Sequence, residues 1–581
     1  MAMLLEDIVE SVELWLSFLK KKPQPYVDPD LDPVLLVPGI AGSILKAVDD
    51  EGKEERIWVR ILSADYKFRT KLWSVFDPST GKTVSLDPKT KIAVPEDRYG
   101  LHAIDILDPD MVIGRDCVYY FHDMIVEMLK WGFQEGKTLF GFGYDFRQSN
   151  RADQSDILEK GRKLLTKGGS KNGGGNLPLL ETMDSLAAKL ESIFTASGGK
   201  KINIISHSMG GVLVKCFMCL HTIAAPFQGA PGYITSTFLN GISFVEGWEQ
   251  NFFISKWSMH QLLIECPSIY ELMASRDFHW EHTPLLEFWR QNCDSDGNSY
   301  VMLESYPPEE SVPIFMEALS SNTVMWDFAS HPPARPACSL GSTCGVWARD
   351  THPTHPLVNY DGVDIPLPFN LEILKWANET RKVLSSAKVP PQVKFYNIYA
   401  TNLETPHSVC YGTERAPVTD LQQLPFLQGR YVCVDGDGTV PVESAKADGL
   451  NAEARVGVPG EHRGILCDRH VFRILQHWLN AGDPDPFYNP VNDYVILPTL
   501  FEIEKHQEKG LQVTSLKEEW EIIVDGQDDE ETKPLVSSIC VSNEADGQHM
   551  QEEACATVIV HPQSEGRQHV ELNAVSVTAS A

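Results

Sequence analysis

The sequence of 581 residues has no run of about 18 consecutive apolar residues, the minimum for a membrane-spanning helix. It is also short of positive charge, with 50 Lys and Arg against 80 Asp and Glu and a formal net charge of −30. Neutralising phosphates needs the opposite balance, so nucleic acid is excluded as a partner. With 43% hydrophobic residues the chain can bury a large core.

Cysteine spacing and the N-terminus exclude two further classes. The twelve cysteines lack the regular spacing of a small secreted disulfide scaffold. Cys216 and Cys219 have no second ligand pair nearby, so we predict no metal site and no cofactor. Glu6 and Asp7 stand where a signal peptide would be basic or apolar, so we expect a cytoplasmic protein.

Composition divides the chain into three parts. Residues 1–32 combine a predicted amphipathic helix, either docked on the core or lying on a membrane surface, with a proline-rich linker. Residues 33–504 form the main domain, and the acidic residues 505–581 are predicted to be disordered. Two stretches, 47–112 and 232–390, do not alternate strand with helix, and we interpret them as insertions that form a cap.

Within the main domain, short apolar runs alternate with helical patterns. Helices are predicted at 119–132 and 186–194 and after residues 209 and 471; strands are predicted at 34–37, 139–146, 201–205, 393–399, 431–434 and 455–458. This alternation indicates an α/β fold with a mostly parallel, doubly wound sheet, whose ligands bind at the carboxyl ends of the strands.

One pentapeptide has the context of a nucleophile. Ser206-His207-Ser208-Met209-Gly210 lies between a predicted strand and a predicted helix, where a sharp turn would expose Ser208. The alternative is a serine that caps the helix beside a tight glycine turn. A serine hydroxyl needs a base and an orienting carboxylate, so the partner groups decide between the two.

Both partner groups follow in the chain order Ser, Asp, His. Asp437 lies in a glycine turn directly after a predicted strand and is the predicted acid, with Asp435 as second choice. A plain turn is the alternative reading of this segment. His462 follows the last predicted strand and is the predicted base. Backbone N–H groups of Ile40 and Met209 are predicted to form the oxyanion hole.

Aromatic and basic residues interleave in the first insertion. Trp58 and Trp73 lie among Arg56, Arg60 and Lys71, a mixture suited to lipid headgroups. We therefore predict membrane contact by the two tryptophans; a place in the buried core is the alternative.

These motifs together resemble a known family. The sequence is similar to the lecithin:cholesterol acyltransferase family over about residues 30–480, and within it to plant cytosolic phospholipases, on the segments 36–39, 144–147, 206–210, 225–229 and 435–440 and on His462. The resemblance implies an α/β-hydrolase fold, a membrane-binding insertion and a cap. It also implies a supporting ion pair between Asp145 and Arg147.

The sequence departs from this family between the nucleophile and the next strand. The helix from Met209 is predicted to reach His221, and residues 222–225 must already be the next strand, which leaves no turn. A segment therefore looks missing, and either the helix shortens to about two turns or the strand is curtailed. The irregular run 331–356 looks like an extra loop.

The resulting hypothesis is a cytoplasmic phospholipase A, peripheral to membranes, whose partner is the phospholipid bilayer surface. It would hydrolyse an acyl ester of a phosphatidylcholine-like lipid, with the sn-2 ester favoured, through Ser208, His462 and Asp437. One alternative is a phospholipid-dependent O-acyltransferase that acts on a sterol or another alcohol. Another is a catalytically impaired, lipid-binding pseudo-hydrolase. Protein partners are not predicted.

Overall fold

The structure is a computed structural model that describes residues 26–60, 71–87, 89–110, 118–150, 181–217, 221–241, 256–293, 298–320, 357–360, 363–366, 369–391, 393–484, 486, 488, 490, 494–513, 518–523, 535–542, 553–562 and 567–576. Two compact units divide after Pro498. The predicted N-terminal helix and the irregular run 331–356 lie outside the described residues.

The described strands and helices follow one another through both units. The strands are β1 Val34–Val37, β2 Leu45–Val48, β3 Glu54–Trp58, β4 Ser74–Asp77, β5 Lys82–Ser85, β6 Lys91–Ala93, β7 Leu139–Gly141, β8 Asn203–His207, β9 His221–Ile223, β10 Leu286–Cys293, β11 Ser299–Tyr306, β12 Leu357–Tyr360, β13 Val363–Pro366, β14 Tyr396–Thr401, β15 Leu403–Tyr411, β16 Arg430–Gly436, β17 Ala454–Pro459, β18 Tyr494–Val495, β19 Glu518–Ile523, β20 Leu535–Ser542, β21 Glu553–Pro562 and β22 Arg567–Ser576. The α-helices are α1 His122–Lys130, α2 Glu181–Ala196, α3 Met209–Phe217, α4 Pro231–Asn240, α5 Lys256–Leu263, α6 Pro267–Glu271, α7 Ser311–Ala318, α8 Leu371–Ser386, α9 Val442–Lys446, α10 Arg469–Leu479 and α11 Leu500–Glu508. Over the described ranges, no helix combines the length and the apolar character needed to cross a bilayer.

A parallel sheet forms the centre of the first unit. In the described part of the chain it has seven strands in the order β18-β17-β14-β9-β8-β1-β7, and each neighbouring pair is parallel. Every residue of β1 and β8 is buried, which accounts for their nearly continuous apolar runs. The predicted α/β class is confirmed.

The crossover from β8 to β9 is short, but it keeps its parallel pairing. Helix α3 has 9 residues and ends at Phe217, so the prediction that it reaches His221 is wrong. Strand β9 has 3 residues, begins at His221, and pairs with β8 through His207 and Ile223. The helix is therefore shortened and the strand is curtailed, which are the two predicted adjustments. The turn at Ser208 retains a strand before it and a helix after it.

A second sheet carries the strand that precedes Asp437. The chain leaves β14 at Asn402, whose φ is +69°, and enters β15 immediately. Strand β16 then runs antiparallel to β15, with Glu404 opposite Asp435. The sequence grouped this strand with those of the parallel sheet, whereas it belongs to the sheet β11-β10-β15-β16. Its return direction brings residue 437 back to the carboxyl end of β14.

The first insertion packs its tryptophans inward. Trp58 and Trp73 are 2% and 3% exposed and belong to the hydrophobic core, so the prediction that they contact the membrane is wrong. The basic residues beside them have acidic partners, with Arg56 bound to Asp108 at 2.5 Å and Lys71 bound to Asp87 at 2.6 Å. Such pairs leave little positive charge for headgroups.

The second unit contains β-structure where composition favours disorder. Its strands pair antiparallel in the order β19-β22-β21-β20, after helix α11. Strand β21 has the sequence Glu-Ala-Cys-Ala-Thr-Val-Ile-Val-His-Pro, in which β-branched residues favour an extended chain. The acidic residues that dominate the composition of 505–581 concealed this local preference.

The short crossover predicts an unusual cost for one alanine substitution. A Cβ on Gly211 would lie 2.5 Å from the Ala225 Cβ, across the contact between α3 and the segment after β9. Although alanine favours helices, we expect Gly211→Ala to lower the free energy of unfolding by about 1–3 kcal/mol through overpacking. Guanidinium unfolding of the purified chain measures this loss.

Gly460→Ala is the matched control, because a Cβ at Gly460 would meet nothing within 4 Å. Equal unfolding midpoints for the two variants would contradict the tight packing assigned to Gly211.

Candidate active site

The turn at Ser208 has the strained geometry of a nucleophile elbow. Ser208 joins β8 to α3 with a φ of +55°, a conformation that side chains rarely adopt. Its N–H donates to the Ile223 carbonyl at 2.9 Å, which ties the turn to β9. A Cβ on Gly210 would lie 2.4 Å from the Pro38 carbonyl oxygen, so this position of the motif requires glycine.

Hydrogen bonds link the three predicted catalytic side chains to one another. His462 Nε2 lies 2.9 Å from Ser208 Oγ, and His462 Nδ1 lies 2.7 Å from Asp437 Oδ2. Asp437 and Ser208 are 1% and 5% exposed. The arrangement allows the imidazole to accept a proton from the serine while the carboxylate fixes its orientation.

A compact turn fixes the Asp437 carboxylate. Its Oδ1 accepts the N–H groups of Thr439 at 2.9 Å and Val440 at 2.6 Å, which leaves Oδ2 for His462. The His462 N–H in turn donates to the Asp437 carbonyl at 2.9 Å. Asp435, the second choice for the acid, instead accepts the Asn402 N–H at 2.6 Å and holds the turn between β14 and β15.

Two opposed effects act on the His462 imidazole. Burial disfavours its charged form, whereas the negative charge of Asp437 and the hydrogen bond to it favour that form. The net result is that the pKa of His462 is raised above the ordinary histidine value. A base with this pKa holds the proton of the serine more strongly once it has accepted it.

The predicted oxyanion loop lies against the nucleophile. A Cβ on Gly39 would lie 2.6 Å from the Ser208 Cβ, and the Gly42 N–H donates to the Gly39 carbonyl at 3.2 Å to close a turn around Ile40. Met209 is the first residue of α3, where the N–H has no partner within the helix. The loop that contains Ile40 therefore packs against the turn at Ser208 and against the start of α3, where a Cβ on Gly210 would lie 2.4 Å from the Pro38 carbonyl oxygen.

Three aromatic side chains that the sequence analysis did not assign to the site hold this loop. Tyr144 Oη donates to the Pro38 carbonyl at 3.0 Å, and Trp58 Nε1 donates to the Ala41 carbonyl at 2.8 Å. Tyr120 Oη accepts the Gly39 N–H at 2.8 Å. Tyr144 belongs to a recognised motif, which is a signal for its role, but Tyr120 lies in a predicted helix with no distinguishing pattern.

Asp145 and Arg147 form an ion pair in which the Arg147 side chain is buried and the Asp145 side chain is half-buried. Arg147 Nε donates to Asp145 Oδ1 at 2.9 Å and Nη2 donates to Oδ2 at 2.7 Å. Burial opposes both charges, yet the pairing lowers the pKa of Asp145 and raises that of Arg147. Arg147 Nη1 also donates to the Leu72 carbonyl at 3.0 Å, so the pair joins the first insertion to the segment after β7.

Metal ligands are not grouped in the part of the chain that the structure describes. There, no three His, Cys, Asp or Glu side chains lie together so that they could hold an ion.

Asp437 can be distinguished from Asp435 by a pair of asparagine variants. We expect Asp437→Asn to lower kcat by about 10³–10⁴-fold, because the imidazole loses both its orientation and its charge partner. Asp435→Asn should stay close to wild type, since an amide oxygen can still accept the Asn402 N–H. Hydrolysis of a soluble ester by the three proteins measures the difference.

The wild type and the two asparagine variants can also be compared in how their activity depends on pH. Only neutral His462 can accept the serine proton, so wild-type activity should fall as the pH drops through its raised pKa, above about 6.5. Removing the Asp437 charge should move this acid limb to lower pH. An unchanged limb in Asp437→Asn, or a larger loss in Asp435→Asn, would contradict the assignment.

Comparison with known proteins identifies the family. The sequence pattern of the family described as lecithin:cholesterol acyltransferase matches residues 56–169. The chain is 59% identical over 596 residues to lecithin-cholesterol acyltransferase-like 4 of Arabidopsis thaliana, with 100% of each chain covered. It is 44% identical over 469 residues to phospholipase A(1) LCAT3 of the same plant, over 78% of this chain and 91% of that protein. The protein is an α/β-hydrolase and belongs to the lecithin:cholesterol acyltransferase family.

Proposed function

We propose that this protein is a phospholipase A that hydrolyses an acyl ester of glycerophospholipids through a covalent acyl-enzyme. The observation that carries the proposal is the hydrogen-bonded series from Asp437 through His462 to Ser208, with Ser208 on a strained turn. This series supplies a nucleophile, a base and an orienting acid in the order that ester hydrolysis needs.

The geometry supports a two-step reaction. Ser208 Oγ attacks the ester carbonyl carbon while its proton passes to His462 Nε2, and the N–H groups of Ile40 and Met209 stabilise the negative oxygen. Collapse breaks the ester bond, and His462 returns the proton to the departing lysophospholipid oxygen. Water, deprotonated by His462, then attacks the acyl-enzyme carbonyl. As this second intermediate collapses, the bond to Ser208 Oγ breaks, His462 returns the proton to Ser208 Oγ, and the fatty acid is released. Asp437 stabilises the imidazolium in both steps.

The names of the relatives support a phospholipid substrate. One is a phospholipase A(1) and the other an acyltransferase-like protein, and both names describe chemistry at lipid acyl esters. A phosphatidylcholine-like substrate at a bilayer surface is our proposal for this chain. The sequence favoured the sn-2 ester, whereas one relative is named a phospholipase A(1), so both ester positions belong in the test.

The family name favours acyl transfer as a second candidate. The same acyl-enzyme can be attacked by water or by the hydroxyl of a sterol or another alcohol, and exclusion of water decides the balance. A pseudo-hydrolase is less well supported, because the short crossover after α3 leaves His462 Nε2 within 2.9 Å of Ser208 Oγ. A cytoplasmic, membrane-peripheral location remains a prediction.

Release of labelled fatty acid from phosphatidylcholine tests these proposals together. Vesicles labelled at either the sn-1 or the sn-2 chain are incubated with the protein, with and without a sterol. We expect free fatty acid from one position, and Ser208→Ala should reduce release to background because it removes the hydroxyl that forms the acyl-enzyme.

Ser206→Ala is the matched control, because the buried Ser206 hydroxyl donates to the His221 carbonyl at 3.2 Å and should be dispensable for chemistry. Sterol ester in place of fatty acid would favour the transferase. Activity that survives in Ser208→Ala, or a folded wild type without turnover, would reject the proposed mechanism.

A further inference from the structure

A chain of three hydrogen bonds joins the oxyanion loop to the catalytic histidine and bypasses the nucleophile. The Gly39 N–H donates to Tyr120 Oη at 2.8 Å, and Tyr120 Oη lies 2.6 Å from His207 Nδ1. His207 Nε2 lies 2.8 Å from the His462 carbonyl oxygen. These links connect the residue before Ile40, the residue before Ser208 and the backbone of the base.

Chemistry fixes the direction of every proton in this chain. The His462 carbonyl can only accept, so His207 Nε2 carries the hydrogen that it donates. In the neutral ring Nδ1 is then an acceptor, and the Tyr120 hydroxyl must donate to it. That leaves a lone pair of Tyr120 Oη for the Gly39 N–H. Each polar atom in this chain of hydrogen bonds therefore acts consistently as a donor or as an acceptor in each bond it makes.

The surroundings keep His207 neutral. The ring is buried, and its centroid lies 4.9 Å from that of His462. Burial is the main reason that the pKa of His207 is held well below its usual value, and the nearby His462 and Arg463 charges lower it further. A charged ring here would repel the imidazolium that His462 becomes during the reaction, whereas a neutral ring does not.

We propose that Tyr120 and His207 are positioning residues, which hold the oxyanion loop and the loop of His462 at a fixed separation. The negative charge on the substrate oxygen and the positive charge on the His462 imidazole are then stabilised at the same time. The inference rests on the proposed function and adds two residues to it. Neither side chain touches the reacting atoms. Tyr120 acts through the Gly39 N–H, and His207 acts through the backbone of the base. An oxyanion donor and a base contribute fully only when both are held in place before the reaction begins.

Tyr120→Phe removes the shared hydroxyl and keeps the ring. We expect kcat for phosphatidylcholine hydrolysis to fall about 10- to 100-fold with little change in KM, because transition-state charge and not substrate binding is affected. The rate at which a fluorophosphonate probe labels Ser208 should fall by a similar factor. Tyr119→Phe is the matched control, since the neighbouring Tyr119 contacts His122 by its ring and lies outside the chain of bonds.

His207→Gln gives a second, independent test, and it decides the question if Tyr120→Phe fails to fold. Its amide can still donate to the His462 carbonyl, but the ring acceptor for Tyr120 is lost. If the two residues act as one chain, the losses in kcat of the single variants should not add in the double variant. Circular dichroism and thermal unfolding verify that each variant is folded.

The outcomes separate this inference from the proposed function. If the wild type turns over phospholipid and Tyr120→Phe or His207→Gln has the same kcat, the positioning role is overturned and the phospholipase proposal stays intact. Additive losses, or a change in KM alone, would also overturn it. Probe labelling without phospholipid turnover would reject the substrate, while the labelling rates still report on positioning. A folded wild type that neither labels nor turns over would overturn both proposals.

Discussion

The close contact between the backbone of residues 38–42 and the turn at Ser208 is the constraint on which the site depends. It requires glycine at 39 and at 210, since a Cβ at either position would lie less than 3 Å from the opposite segment. The strained φ of Ser208 is compatible with this contact because β1 and β8 are adjacent, fully buried parallel strands. The sheet therefore stabilises a turn that the local sequence alone would not favour.

The proposed acid, Asp437, reaches the parallel sheet by an indirect route. Asp437 follows β16, which lies in a separate, mixed sheet and returns antiparallel to β15 toward the end of β14. The turn after β16 then satisfies one carboxylate oxygen with backbone donors and presents the other to His462. A buried carboxylate needs such partners, because removing its charge from water without them is costly.

The first insertion shows how far a composition pattern can be interpreted. Aromatic residues interleaved with basic ones suit a membrane surface. The same residues also suit a buried core in which the aromatic rings are enclosed and the basic residues at its edge pair with acidic ones. Trp58 is buried and donates to the Ala41 carbonyl, while Arg56 binds Asp108, a residue 52 positions away. The contacts that decide between the two cases are long-range, so local spacing could not reveal them. The insertion instead supports the loop of residues 38–42 through the Trp58 hydrogen bond.

The sequence by itself determined the family, the α/β class and the candidate side chains Ser208, Asp437 and His462. These follow from local patterns: a strand, a glycine-flanked serine, and a carboxylate and a histidine after later strands. Only the tertiary structure decided that Asp437 follows a strand of a second sheet, that the tryptophans are buried, and that Tyr120 and His207 connect the Gly39 backbone to the backbone of His462. The physical reason is that hydrogen bonds between residues 39, 120, 207 and 462 depend on how distant segments pack, and no local period in the sequence encodes them.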